Sequence, residues 1–134
     1  VLDFTDAGYP STYKMHRTDI EQCFSHLIAA ANASRNIDVI VVEVADGLLH
    51  PETADLVAST AFKERVSNVI FAAGEAMGAV AGVDRLATIG VKPTAISGLV
   101  SASQLASNEA ELETGIPILT KIQLESACIA ALLG

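Results

Sequence analysis

The residue order predicts an α/β domain built as three layers, a mostly parallel five-stranded sheet with helices on both faces. Three observations lead there. Apolar residues switch between a strand period and a helix period from one end of the chain to the other. Residues 38–44 read DVIVVEV, a β-branched run with no polar alternation, as a central parallel strand covered on both sides requires. The stretches between these elements are only a few residues long and carry Gly or Pro, so a right-handed βα path is the simplest one that satisfies them. The 134 residues fit a single domain over 1–134.

Each element has its own local reason. Residues 1–5 form a short first strand, and the Gly8- and Pro10-bearing stretch after it forms a turn. Thr18, with Glu21 three residues on, has capping-box spacing and opens a helix whose stripe is Ile20, Cys23, Phe24, Leu27, Ile28 and Ala31. The run 38–44 is the second strand; Ala45, Asp46 and Gly47 turn the chain, and Pro51 suits the first turn of the next helix. Residues 68–73 are the third strand, followed by a helix over 75–89 that Gly90 stops. Gly78 and Gly82 lie four apart on one face of that helix, an arrangement for close packing. Residues 94–100 are the fourth strand. Ser101 and Gln104 form a second capping box, and Gly115 ends the helix it opens. Residues 116–119 are the fifth strand, and Thr120 with Gln123 caps a last helix carrying Ile122, Leu124, Cys128, Ile129, Leu132 and Leu133.

Composition removes several classes of function. Hydrophobic residues are 51% and charged residues 18%, too apolar for a disordered chain. Eight Lys and Arg against 16 Asp and Glu leave a formal charge of −8, which repels a phosphate backbone and excludes nucleic acid and anionic membrane as partners. Aromatics are 4% with no Trp, so stacking on bases or sugars has little to work with. The apolar runs fall far short of the ~20 residues that span a bilayer. Cys23 and Cys128 lack metal-ligand spacing and read as reduced core residues. With no basic and apolar leader at the front and Val1 in place of Met, the chain reads as a piece of a longer cytoplasmic protein.

In parallel sheets ligands bind beyond the carboxyl ends of the strands. The predicted rim gathers Thr5, Asp6 and Gly8 after the first strand, and Glu43, Asp46 and His50 after the second. Gly74 and Glu75 follow the third, Ser97, Ser101 and Ser103 the fourth, and Thr120 and Lys121 the fifth. Asp6, Glu43 and Asp46 are hard oxygen donors of the type that hold Mg²⁺ while a substrate phosphate completes the shell, with Asp6 and Glu43 the expected ligands. Asp6 and Asp46 are equally ordinary turn formers, and Glu43 is equally a strand-end residue protruding into water. Lys121 at a helix start favours an anion, or is simply solvated. His50 before Pro51 caps or solvates, and no Ser or Cys has an evident triad partner. Neither GxxxxGK[ST] nor GxGxxG occurs; the glycines of GEAMGAVAG at 74–82 have the wrong spacing.

The segment 38–55, DVIVVEVADGLLHPETAD, resembles P-loop NTPase-like proteins of the dethiobiotin synthetase and cobyric acid synthase type. In these a hydrophobic strand ends in Glu and runs through a small-residue turn into Leu-Leu and Pro, as at Glu43, Ala45, Gly47, Leu48, Leu49 and Pro51. Val44 and Asp46 stand where that family commonly has glycines. Residues 69–98 resemble its later βαβ unit, with Ser97 or Gly98 where an Asn often holds the base. The resemblance implies a Rossmann-like fold of the P-loop NTPase-like kind and a Walker loop upstream of Val1. It further implies Mg²⁺ and ATP in the longer protein but none on this piece alone, and phosphate activation of a substrate carboxylate or hydroxyl. Glu43 and Asp46 are then the expected catalytic groups; Thr5, Asp6, Gly8, Gly74, Ser97, Ser101 and Lys121 line the nucleotide or substrate. The alternative is a non-enzymatic flavodoxin-like or receiver-like module that binds a small effector. In that reading Lys121 suits the conserved-type Lys, but Glu43 replaces a phospho-accepting Asp. An unfilled sheet edge favours a homodimer in either case.

Overall fold

In the computed structural model, which describes residues 1–33 and 37–126, the chain is mostly helical. The residues fall into two compact units, 1–65 and 66–134, the second described as far as residue 126.

The first unit opens with turns where a strand was expected. Asp3 Oδ1 accepts hydrogen bonds from the Thr5 amide at 2.8 Å and the Thr5 hydroxyl at 2.6 Å. Asp6 Oδ2 accepts from the Asp3 amide at 2.8 Å. Short polar side chains that bond nearby amides draw backbone away from a ladder, and residues 1–5 follow that route. Helix α1 spans Arg17–Asn32 and buries Ile20, Cys23 and Phe24, the front half of the predicted stripe. It starts before Thr18, with His16 as N-cap and no side-chain cap, and Glu21 pairs with Arg17 at 2.9 Å instead of closing a box. Helix α2 spans Pro51–Ala58 with Pro51 in its first turn, and helix α3 spans Thr60–Arg65. Phe62 of α3 meets Phe24 of α1 with ring centroids 5.9 Å apart, and these two with Ile20, Cys23 and Val57 make this unit's core.

The second unit holds the sheet. Strand β1 is Ile70–Ala72 and strand β2 is Ala95–Ser97, paired in parallel with Phe71 opposite Ile96. Helix α4, Ala76–Thr88, connects them and lies against β1. A 3-10 turn at Leu99–Ala102 leads to helix α5, Gln104–Thr114, and α6 is the short Lys121–Glu125. Ala73, Ala79, Ile96, Val100, Ala110 and Ile116 form the core, with Phe71 and Val83 packed on it. Gly82 is required there: a Cβ at that position would land on the Phe71 ring. Gly98, at φ +95°, brings the chain against Ala73, whose carbonyl oxygen a Cβ would approach to 2.7 Å.

The predicted fold class is therefore corrected. The third and fourth strands exist, shortened to three residues each, but the three-layer five-stranded sheet does not, and the Rossmann-like and P-loop NTPase-like descriptions fall with it. The fifth strand is reduced to a single parallel bridge between Ile96 and Ile118. Residues 38–44 form no strand among the described residues; Val39 and Val41 stand exposed at 62% and 89%. A strand is completed by a neighbour's backbone, and β-branched composition cannot supply one. The Ser101 box also fails: the Ser101 hydroxyl donates to the Gly98 carbonyl at 2.8 Å, and Ser103 caps α5. The Thr120–Gln123 box and the left-handed Gly115 cap are formed as predicted. Cys128, Ile129, Leu132 and Leu133 lie outside the described residues.

Candidate functional site

The expected rim residues divide between the two units. Thr5, Asp6, Gly8, Glu43 and Asp46 belong to the first; Gly74, Ser97, Ser101 and Lys121 belong to the second.

In the first unit, the Asp3–Gly8 turn uses its own polar groups. The Thr5 hydroxyl and then the Thr5 amide hold the Asp3 carboxyl below its ordinary range, while Gly8 takes φ +87° and donates its amide to the Thr5 carbonyl at 3.0 Å. Asp46 and Gly47 have φ of +70° and +71°, the left-handed pair that turns the chain, so Asp46 serves as a turn former. The Thr53 hydroxyl donates to the Ala45 carbonyl at 3.1 Å and fixes that turn to α2. Glu43 is exposed to solvent. Among the described residues no three His, Cys, Asp or Glu side chains are gathered as a metal ion needs, so Asp6, Glu43 and Asp46 make no such group.

The best-connected carboxylate of this unit is one the sequence reading passed over. Glu52 accepts the Lys14 amide and lies 2.9 Å from His50 Nδ1. Its own amide, the Lys14 amide and His50 together hold it below the usual carboxylate range. Lys14 sits at φ +58° beneath this contact, its ammonium 5.1 Å from the Tyr13 ring centroid. The signal was present in sequence as an acidic residue in the first helical turn after Pro51.

In the second unit, Gly74, Ser97 and Ser101 do meet at the carboxyl ends of β1 and β2. The Ala73 amide donates to the Ser97 carbonyl at 2.9 Å, and the Val100 amide to the Ala73 carbonyl at 3.1 Å. Their polar groups are engaged internally. The Ser97 hydroxyl donates to the Leu119 carbonyl at 2.6 Å. Glu75, the N-cap of α4, accepts from the Met77 amide at 2.8 Å and from the Gly78 amide, so a built-in carboxylate covers that helix start. Lys121 is solvated, 3.7 Å from Glu125.

A cleft of about 320 Å³ lies at the opposite edge of this unit, where Lys92, Pro93 and Thr94 lead into β2 and Gly115, Ile116 and Pro117 lead to the Ile118 bridge. Pro93 and Ile116 lie buried behind it and its exposed lining is more polar than apolar; Lys92 is exposed and is the charged side chain in that lining. Its volume matches small-molecule clefts. The Thr94 hydroxyl is tied to Asn68 Oδ1 at 3.1 Å, which stiffens one wall.

No protein-family model, curated protein or solved structure matches this chain. Among the described residues no helix is long and apolar enough to cross a membrane.

Proposed function

We propose that this chain acts as a non-enzymatic effector-binding module, taking a small anionic molecule in the Lys92 cleft. The observation that carries the reading is the contrast between the two edges of the second unit. At the carboxyl edge Ser97, Ser101 and Glu75 are each bonded to the chain itself. At the amino edge an open cleft pairs buried Pro93 and Ile116 with the cation of Lys92. An open, mostly polar lining with one cation suits a small carboxylate or phosphate, which the Lys92 ammonium would meet as counter-ion.

The test is an amide-shift titration of the whole chain with inorganic phosphate, a small dicarboxylate and Mg²⁺-ATP in separate arms. Saturable shifts at residues 92–94 and 115–117, weakened about tenfold by Lys92→Ala, support the cleft. No shift there at millimolar ligand refutes it. Mg²⁺ and ATP on Asp6, Glu43 and Asp46 are the rival reading, whose geometry came from the five-stranded sheet. That reading expects Mg²⁺ and ATP only in a longer protein, so it predicts no shift in the third arm.

A further inference from the structure

The first unit carries a groove of its own, about 420 Å³ in volume, between α1 and α3. Glu21, Gln22, Ser25 and His26 line it from α1, and Ala61, Glu64 and Arg65 from α3. Glu21 and Ser25, Gln22 and His26, and Ala61 and Arg65 are each four residues apart, so each wall is one face of its helix. The buried rings of Phe24 and Phe62, with centroids 5.9 Å apart, join the same two helices and fix the spacing of the walls.

Both signs of charge line this groove, and they do not neutralise each other across it. Glu21 is held at 2.9 Å by Arg17, which is not part of the lining. Arg65 Nη1 donates to the Ala61 carbonyl at 3.1 Å, which ties the guanidinium to its own helix and leaves its other N–H groups for a carboxylate. Among the described residues neither Arg65 nor Glu64 is in an ion pair. A simple anion here is opposed by two carboxylates and a simple cation by the guanidinium, whereas a molecule bearing both charges satisfies both. The exposed lining is also more apolar than polar, as the methylene stems of Glu and Arg provide, which suits a hydrocarbon body.

We propose that this groove binds a small zwitterion with a hydrocarbon body, an α- or ω-amino acid, its carboxylate on Arg65 and its ammonium at Glu64 and Glu21. The site is independent of the Lys92 cleft, which belongs to the second unit. Glu64 and Arg65 are exposed, so water competes for both and the affinity is in the millimolar range.

Amide-shift titration of the whole chain at neutral pH tests this, with leucine, aminohexanoate, hexanoate and hexylamine in separate arms. Saturable shifts at residues 18–26 and 61–65 are expected from a zwitterion, about tenfold tighter than from either singly charged compound. The tighter of the first two arms tells an α-amino acid from an ω-amino acid. Arg65→Gln should weaken binding about tenfold, as should Glu21→Gln combined with Glu64→Gln. Unchanged far-ultraviolet dichroism shows that these variants keep the fold. No such shifts at millimolar zwitterion, an equal response to hexanoate or hexylamine, or indifference to either variant would each overturn the proposal.

Discussion

Replacing Gly82 by alanine puts a methyl group where α4 presses on β1. The new Cβ would fall on Cε1 and Cζ of Phe71, far inside the 3.0 Å that Cβ atoms keep, and 3.2 Å from Cε2. Contact normally begins near 3.5 Å, so helix or ring must yield by on the order of 1 Å. Phe71 packs on the Ile96–Val100 core, which leaves the ring little room to turn. Overpacking of this kind costs about 1–3 kcal/mol, and the gain in helix propensity from Gly to Ala returns about 1 kcal/mol. With an overlap this deep, the net loss is about 1–2 kcal/mol. Gly78→Ala in the same helix is the control, because its Cβ meets only Glu75 Oε1, at 2.9 Å, the far end of a flexible side chain. It receives the same propensity gain and disturbs only the cap, so its effect is near zero. Urea unfolding followed by dichroism measures both, and Phe71→Leu as a second background should relieve the Gly82→Ala loss by about 1 kcal/mol or more. If Gly82→Ala proves as benign as Gly78→Ala, or if Phe71→Leu brings no relief, the close approach of α4 to β1 is wrong.

Three further outcomes follow from the same structure. Gly98→Ala combines a left-handed φ with a contact on the Ala73 carbonyl and should lose more stability than Gly115→Ala, where nothing lies within 4 Å, in parallel urea titrations. Glu52 has a depressed folded-state pKa, so its hold on the Lys14 amide is complete above the ordinary carboxylate range and is lost as pH falls through the folded value. The protection of the Lys14 amide, taken relative to the intrinsic exchange rate at each pH, should fall on acidification, and Glu52→Gln should remove that fall. Burial raises the Cys23 thiol, so the folded state keeps its proton longer than the unfolded one. In a Cys128→Ser background, stability should be flat below the unfolded thiol's pKa of about 8.5 and fall above it, with thiol reagents reacting slowly until the chain unfolds.

What could be read from sequence was the short-range part. Thr120 with Gln123, Pro51 at a helix start and Gly115 past a helix end act within one turn, and all three stand as expected. The cores of the third and fourth strands were found at Ile70–Ala72 and Ala95–Ser97 because α4 between them is short enough to return the chain in parallel. DVIVVEV misled because a strand's pairing depends on backbone far away in sequence. Residues 1–5 misled because Asp3 and Asp6 satisfy their neighbours' amides locally. The rim inherited this error, since its carboxylates converge only if five strand tips do. The Lys92 cleft escaped notice because two Pro-bearing approaches more than twenty residues apart build it, and neither carries a motif.

Glu75 folded onto the first turn of α4 gives that helix a counter-ion of its own. Its full negative charge exceeds the roughly half-unit positive charge of the helix start, so dissolved phosphate or sulfate is repelled there. Under the proposed function a visiting anion would instead be met at the other end of the unit, where Lys92 supplies a positive charge.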